Sequence, residues 1–180
     1  MPAPSPTGRA RTFAADELIV SKTDLKGHIT YANDVFLRVS GYTLDEVIGA
    51  PHNLIRHPEM PRGVFKLLWD HLGQGREVFA FINNLSENGD HYWVLAHVTP
   101  SYDAAGRIVG YHSSRRVPSA QGVAAAVEAY RPLLAEERRH ARAADAAQAS
   151  YALLTERLAA QGTTYDAFVR SLIDLGRKAA

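Results

Sequence analysis

Between Arg76 and Val117 three extended runs follow one another with only short turns between them, and this constrains the fold more than any other part of the chain. The first, REVFAFINNLS, is followed by Asn88-Gly89, the dipeptide that most favours a tight hairpin turn because both positions tolerate positive φ. The second, DHYWVLAHVTPSY, runs into the turn DAAG, and the third is RIVGYHSSRRV. Runs rich in Val, Ile, Tyr and Phe that are joined so closely pair as an antiparallel sheet.

Two more strands are expected upstream. ELIVSKTD is rich in branched apolar residues, DLKGH reads as a turn, and ITYAN is a second short strand. Asn33 or Asp34 then caps a helix over VFLRVSGY, in which Val35, Phe36 and Val39 share a face and Gly41 ends the run. In TLDEVIG, Thr43 and Glu46 have capping-box spacing and Gly49 closes the segment. MPRGVFKLLWDHLGQG is a longer helix, with Pro61 near its first turn and Val64, Leu67, Leu68 and Leu72 as its apolar stripe. The predicted class is α+β: a five-stranded antiparallel sheet with short helices across one face.

From Ala120 onward the composition shifts to the helix formers Ala, Leu, Glu and Arg. Ala147, Tyr151, Leu154 and Leu158 form one apolar seam at helical period, and Tyr165, Phe168, Leu172 and Leu175 form another. Gly162 breaks the chain between them, and Thr163 with Asp166 has the spacing to cap a new helix. Pro132 is expected to mark a fresh start or a kink, because proline costs roughly 3 kcal/mol in a helix interior. The predicted organisation is a flexible leader over 1–16, a sheet domain over 17–118, and a helical hairpin or helix pair over 119–180.

The 180 residues carry a formal net charge of +1, which gives no general pull toward nucleic acid or anionic lipid. No apolar run reaches the roughly 18 residues of a spanning helix, and the first residues lack the apolar core of a secretion signal. The chain has no cysteine, which removes disulfides, thiolate metal sites and thiol chemistry and fits a cytoplasmic location. No kinase, cyclase or hydrolase motif and no phosphate loop is present, so an enzyme is not expected.

The segment PHNLIRHPEMP, Pro51 to Pro61, fixes Arg56 beside His57 between three prolines. Taken with TDLKGHITYANDVFLRVSGYTLDEVIG before it and NGDHYWVLAHVTPSYDAAGRIVGYHSSRR after it, it resembles a PAS sensory domain over roughly residues 17–118. Within that superfamily the Arg-His-Pro run is most similar to the flavin-binding PAS domain of bacterial aerotaxis receptors. The resemblance implies FAD held between the sheet and the short helices. By position it implies FAD contacts from Arg56, His57, Trp69 and Asn84, with Asn33 and His52 as further polar pocket residues. Glu59 stands where the family usually has Asp, and Val78 and Phe79 stand around the place of a third-strand tryptophan.

The residue types suit such a ligand. Trp69 offers an aromatic surface, and Asn33 and Asn84 each carry both a donor and an acceptor for a ring edge that alternates the two. Arg56 can fork onto a phosphate, and His57 can bond the ligand in either charge state. The three prolines lower the cost of ordering the segment on binding. Other readings remain open for the same residues. Arg56 can pair with Glu59 at the surface, Trp69 can be core, and Asn83-Asn84 can be a bulge or an edge feature. His91 and His97 share a strand face without an evident third metal ligand.

The function these readings support is an FAD-binding redox or oxygen sensor that signals through its helical tail to a partner, a chemotaxis or kinase component, as a homodimer. Without cysteine, the photoadduct of blue-light flavin PAS domains is excluded. The alternatives are a haem-binding gas sensor with His57, His71 or His91 as axial ligand, and a ligand-free dimerisation or docking module. Truncation after Val117 is expected to leave ligand binding intact.

Overall fold

The computed structural model describes residues 4–177, which divide into two compact units. One holds the chain up to His57 together with Leu72–Val117; the other holds Pro58–His71 and the chain from Pro118 onward.

The first unit is built on a five-stranded antiparallel sheet of order β2-β1-β5-β4-β3, with β1 Ile19–Thr23, β2 Ile29–Ala32, β3 Val78–Leu85, β4 His91–Tyr102 and β5 Ile108–Arg116. All five expected strands and both expected hairpins are present. Helices α1, Asp34–Ser40, and α2, Leu44–Val47, and a single 3-10 turn over His52–Ile55 follow β2. Asn33 caps α1 by accepting the Phe36 N–H, and Gly41 ends it at φ 81°, a left-handed value that a Cβ would strain. Thr43 and Glu46 form the capping box of α2. Register fixes which side chains share the inner face of the sheet. Ser21 pairs with Ser113, Ser113 with Val98, Arg115 with Ala96, Ala96 with Ala80, and Tyr92 with Asn84.

The expected leader is tied down from Thr7 to Arg11. The Thr7 N–H bonds Gly89 O at 2.9 Å, the His91 N–H bonds Arg9 O at 2.9 Å, and the Arg11 N–H bonds His91 O at 2.7 Å. The reason lies in the sheet: β5 stops opposite Leu95, so the edge of β4 at His91 has backbone groups to satisfy.

In the second unit, α3, Arg62–Gly73, contributes its residues up to His71, and three helices follow: α4 Ala120–Glu137, α5 Ala143–Ala160 and α6 Tyr165–Arg177. That is one more than a hairpin or pair. Pro132 lies inside α4 rather than at a break, and the chain turns at 138–142 instead. The α5–α6 boundary falls at Gly162 as expected, but the cap of α6 is Thr164, whose hydroxyl accepts the Ala167 N–H at 3.2 Å, one residue later than Thr163. The buried stripe of α5 is Ala146, Ser150, Leu154 and Leu158, rotated from the expected seam so that a hydroxyl sits in its middle.

Candidate functional site

Pro51 leads the chain through the 3-10 turn to Arg56 and His57, which then run beside β3. Arg56 forms an antiparallel bridge with Asn84, and the His57 N–H reaches Asn83 O at 3.4 Å. This isolated bridge beside the edge strand brings Arg56, His57 and Asn84 together through main-chain bonds. His57 is only 5% exposed, and its ring meets that of His91 edge-on at 5.9 Å.

His52 lies under α1, with its ring edge-on to Phe36 at 6.3 Å. Its Nε2 is 2.6 Å from Arg115 Nη2 and 3.1 Å from Ser21 Oγ. A guanidinium only donates, so Nε2 is the acceptor and the imidazole is neutral with its proton on Nδ1. Burial, and then the nearby Arg115 charge, push the pKa of His52 down from 6.5 to about 3.

Asn33 is committed to the fold: its Oδ1 takes the N–H groups of Val20 and Phe36, each at 3.0 Å, and its Nδ2 donates to Leu18 O at 2.8 Å. Glu59 and Trp69 belong to the second unit. Glu59 is exposed and lines an open cleft of about 270 Å³ with Pro58, Arg62, Glu137 and His140. Trp69 stands off the buried stripe of α3 and is 39% exposed. His91 and His97 share a face of β4, as expected, but meet different groups: His91 meets His57, whereas His97 stacks on Phe79 at 4.1 Å and meets Glu77 at 2.6 Å, and no group of three metal-ligating residues exists among those described.

Asn84 was expected from the sequence, but four residues that share its face of the sheet were not. Thr23 Oγ1, Asn84 Nδ2, Tyr92 OH, Ser113 Oγ and Arg115 Nη1 are all buried without a hydrogen-bond partner. The register places all five on the inner face of the sheet. Burial raises the Tyr92 hydroxyl well above its ordinary range and brings Arg115 down to about 10, so Arg115 remains charged at neutral pH. No Asp or Glu is among the buried polar residues described. Strand period alone puts Tyr111, Ser113 and Arg115 on one side of β5, and that pattern was the available signal.

Residues 29–115 match the PAS fold family. The chain is 42% identical over 130 residues to the aerotaxis receptor of Escherichia coli (strain K12), an alignment covering 72% of this chain and 26% of the receptor, so the chain spans about a quarter of that protein's length. Among solved structures, the dark structure of the LOV domain of the blue-light photoreceptor Aureochrome1 superposes with a TM-score of 0.54 at 27% identity, covering 61% of this chain and 82% of that one. A light-oxygen-voltage domain whose mechanism was approached with a flavin analogue gives a TM-score of 0.53 at 25% identity, covering 62% and 83%. The five-strand order, the helices between the second and third strands and the family match over the sheet agree: this chain carries a PAS domain similar to that of an aerotaxis receptor.

Proposed function

We propose that residues 17–118 bind FAD and sense redox or oxygen status, and that residues 119–180 pass the signal to a partner protein or to a second copy of the chain. The observation that carries this reading is the set of five unpartnered polar atoms on the inner face of the sheet. Leaving one such group buried and unsatisfied costs roughly 1–3 kcal/mol, and five on one face suit a surface made to meet a polar ligand.

The residues fit a flavin. Ala80, Ala96, Val94 and Val98 offer a smooth apolar floor in the middle of that face, where a flat ring system can lie. The donors around it match the carbonyl oxygens and ring nitrogens along the ring's polar edge. The absence of buried carboxylates among the described residues leaves nothing there to repel a pyrophosphate. When bound, FAD supplies reversible electron transfer.

The protein's own groups would bind and orient it. Asn84 offers its amide nitrogen to the ring edge, while Arg56 places a cation at the rim for the phosphates. His57 is held beside Arg56 by the bond to β3, and His52 orients Arg115. Asn33 acts by fixing the start of α1, since both its oxygen and its nitrogen serve the backbone. The resemblance also offers Trp69 as an aromatic surface and Glu59 as an acid, both carried by the second unit. The similarity to an aerotaxis receptor supports a chemotaxis-type or kinase partner and a homodimer. The absence of a catalytic motif supports a sensor rather than an enzyme.

The test is the chromophore itself. The purified full chain is expected to be yellow, or to become so with FAD, and to release on heating a compound with the mass and spectrum of FAD. A Soret band would favour the haem alternative, and a chain that stays colourless with excess FAD would favour a docking module.

A further inference from the structure

We infer that Arg115, held by Ser21 and His52, is the counter-charge for the electrons the flavin ring gains, so that the pocket holds the reduced, anionic ring more tightly than the oxidised, neutral one. This deepens the flavin reading and rests on it.

Arg115 is only 3% exposed, whereas the adjacent Arg116 is exposed. A guanidinium taken out of water needs an anionic partner, and Arg115 has no carboxylate in any ion pair among the described residues. Its Nη2 donates to two neutral acceptors, Ser21 Oγ at 2.9 Å and His52 Nε2 at 2.6 Å. Its Nη1 has no partner. The Phe36 ring lies 5.8 Å from the guanidinium carbon and covers one side. A buried cation anchored through one nitrogen, with the other unpartnered, is a site for a negative oxygen or nitrogen.

The flavin ring changes charge in a way that meets this need. A flavin bound there would gain two electrons from an external donor and one proton from water, which forms an N–H bond, and would keep one negative charge for Arg115 to face. Arg115 keeps its proton throughout, so the difference it senses is Coulombic. A bond from this cation to a neutral acceptor would become an ion pair when the acceptor gains charge, and only such a differential interaction can shift a two-state equilibrium. Arg115 also stands near the end of β5, two residues before Val117, so a change in its pull enters the chain where the helical tail begins.

The experiment uses the full chain loaded with FAD and equilibrated with dithionite and a reference dye. Wild type, Arg115→Gln and Arg115→Lys are compared for FAD content, far-UV circular dichroism and the ratio of reduced to oxidised flavin. At fixed potential, Arg115→Gln is expected to lower that ratio at least tenfold and Arg115→Lys to restore most of it. A ratio in Arg115→Gln equal to wild type overturns the inference. Should Arg115→Gln fail to fold, the wild type decides: one proton taken up per two electrons around neutral pH supports a charged reduced ring, and two protons overturn it. A wild-type chain that takes up no FAD overturns the flavin reading as well, whereas flavin uptake with an unchanged Arg115→Gln ratio overturns this inference alone.

Discussion

Ser150 donates its hydroxyl hydrogen to Glu137 Oε1 at 2.6 Å, and its own oxygen accepts the Gly63 N–H at 2.9 Å. The same carboxylate oxygen accepts from the backbone N–H groups of Arg62 and Gly63. Helix α3 begins after Met60-Pro61, which offers no capping side chain, and its first turn is satisfied instead from α4 and α5. A carboxylate there also complements the positive end of the helix dipole.

Glu137→Ala is expected to lower stability by about 1–2 kcal/mol, the usual worth of a cap, with more lost if the Ser150 hydroxyl finds no new acceptor. Urea unfolding of the full chain checks this. Glu137→Gln, which keeps an acceptor oxygen, should recover part of the loss.

Gly63→Ala is expected to be worse. A Cβ at this position would lie 2.4 Å from the Tyr151 backbone nitrogen and 2.5 Å from Ser150 Oγ. Backbone cannot rotate away as a flexible side chain can, so α5 must shift. Overpacking of this kind costs about 1–3 kcal/mol, and a lowered urea midpoint would register it. Gly73→Ala, where a Cβ meets nothing within 4 Å, is the control and should leave the midpoint near wild type.

Much of the sheet unit was legible because its signals are local. Asn88-Gly89, the Thr43–Glu46 capping box and the glycine after α1 each act within a few residues, and each is found where the chain pattern put it. The tail was less legible because its determinants are distant in sequence. Nothing near Pro132 says that α4 runs through it, and nothing near Ser150 says that its hydroxyl serves a helix start 87 residues away. The candidate site shows the same split. The Arg56-His57 segment stands out in the sequence, but Arg115 sits in the string SSRRV, where a double arginine at a strand end reads as solvated. Strand period puts Arg115 and Arg116 on opposite faces, but only the pairing of Arg115 with Ala96 and Ile19 shows which of the two faces inward.

The neutral His52 gives a pH signature. Its pKa is 6.5 when exposed and about 3 in the fold, so between these values the unfolded chain binds more protons than the folded one. Stability contributed by this group is therefore complete above about pH 6.5 and declines as pH falls toward 3. Urea unfolding of the cofactor-free chain between about pH 4 and pH 7 should show that slope. His52→Gln, which cannot titrate, should flatten it; an unchanged slope would assign the effect to other groups.

Arg56→Ala should weaken FAD binding by about 10–100-fold, the loss of about 1.5–3 kcal/mol that a charge-assisted bond contributes. The bridge between Arg56 and Asn84 is main-chain and survives the substitution, so the circular dichroism spectrum and urea midpoint should stay near wild type. Fluorescence titration with FAD gives the affinity. Full retention would remove Arg56 from the site.

Removal of the helical tail after Val117 tests how the chain divides its labour. The sequence pattern leads one to expect intact ligand binding, since the sheet and the Arg56-His57 segment remain. In the structure, however, Pro58–His71 clusters with the tail and not with the sheet. Truncation removes Glu137 and Ser150, the acceptors for the first turn of α3, and leaves the glycine surface that packs on Tyr151 exposed to water. The two N–H groups left unsatisfied at the helix start, those of Arg62 and Gly63, fray its first turn. Trp69 and Glu59 lie on or just before that helix. The expected result for chain 1–117 is a sheet unit that still folds and still takes up FAD, with faster hydrogen exchange confined to 60–66 and weaker FAD retention than the full chain. Exchange at 60–66 as slow as in the full chain would mean that α3 holds its own first turn without Glu137 and Ser150.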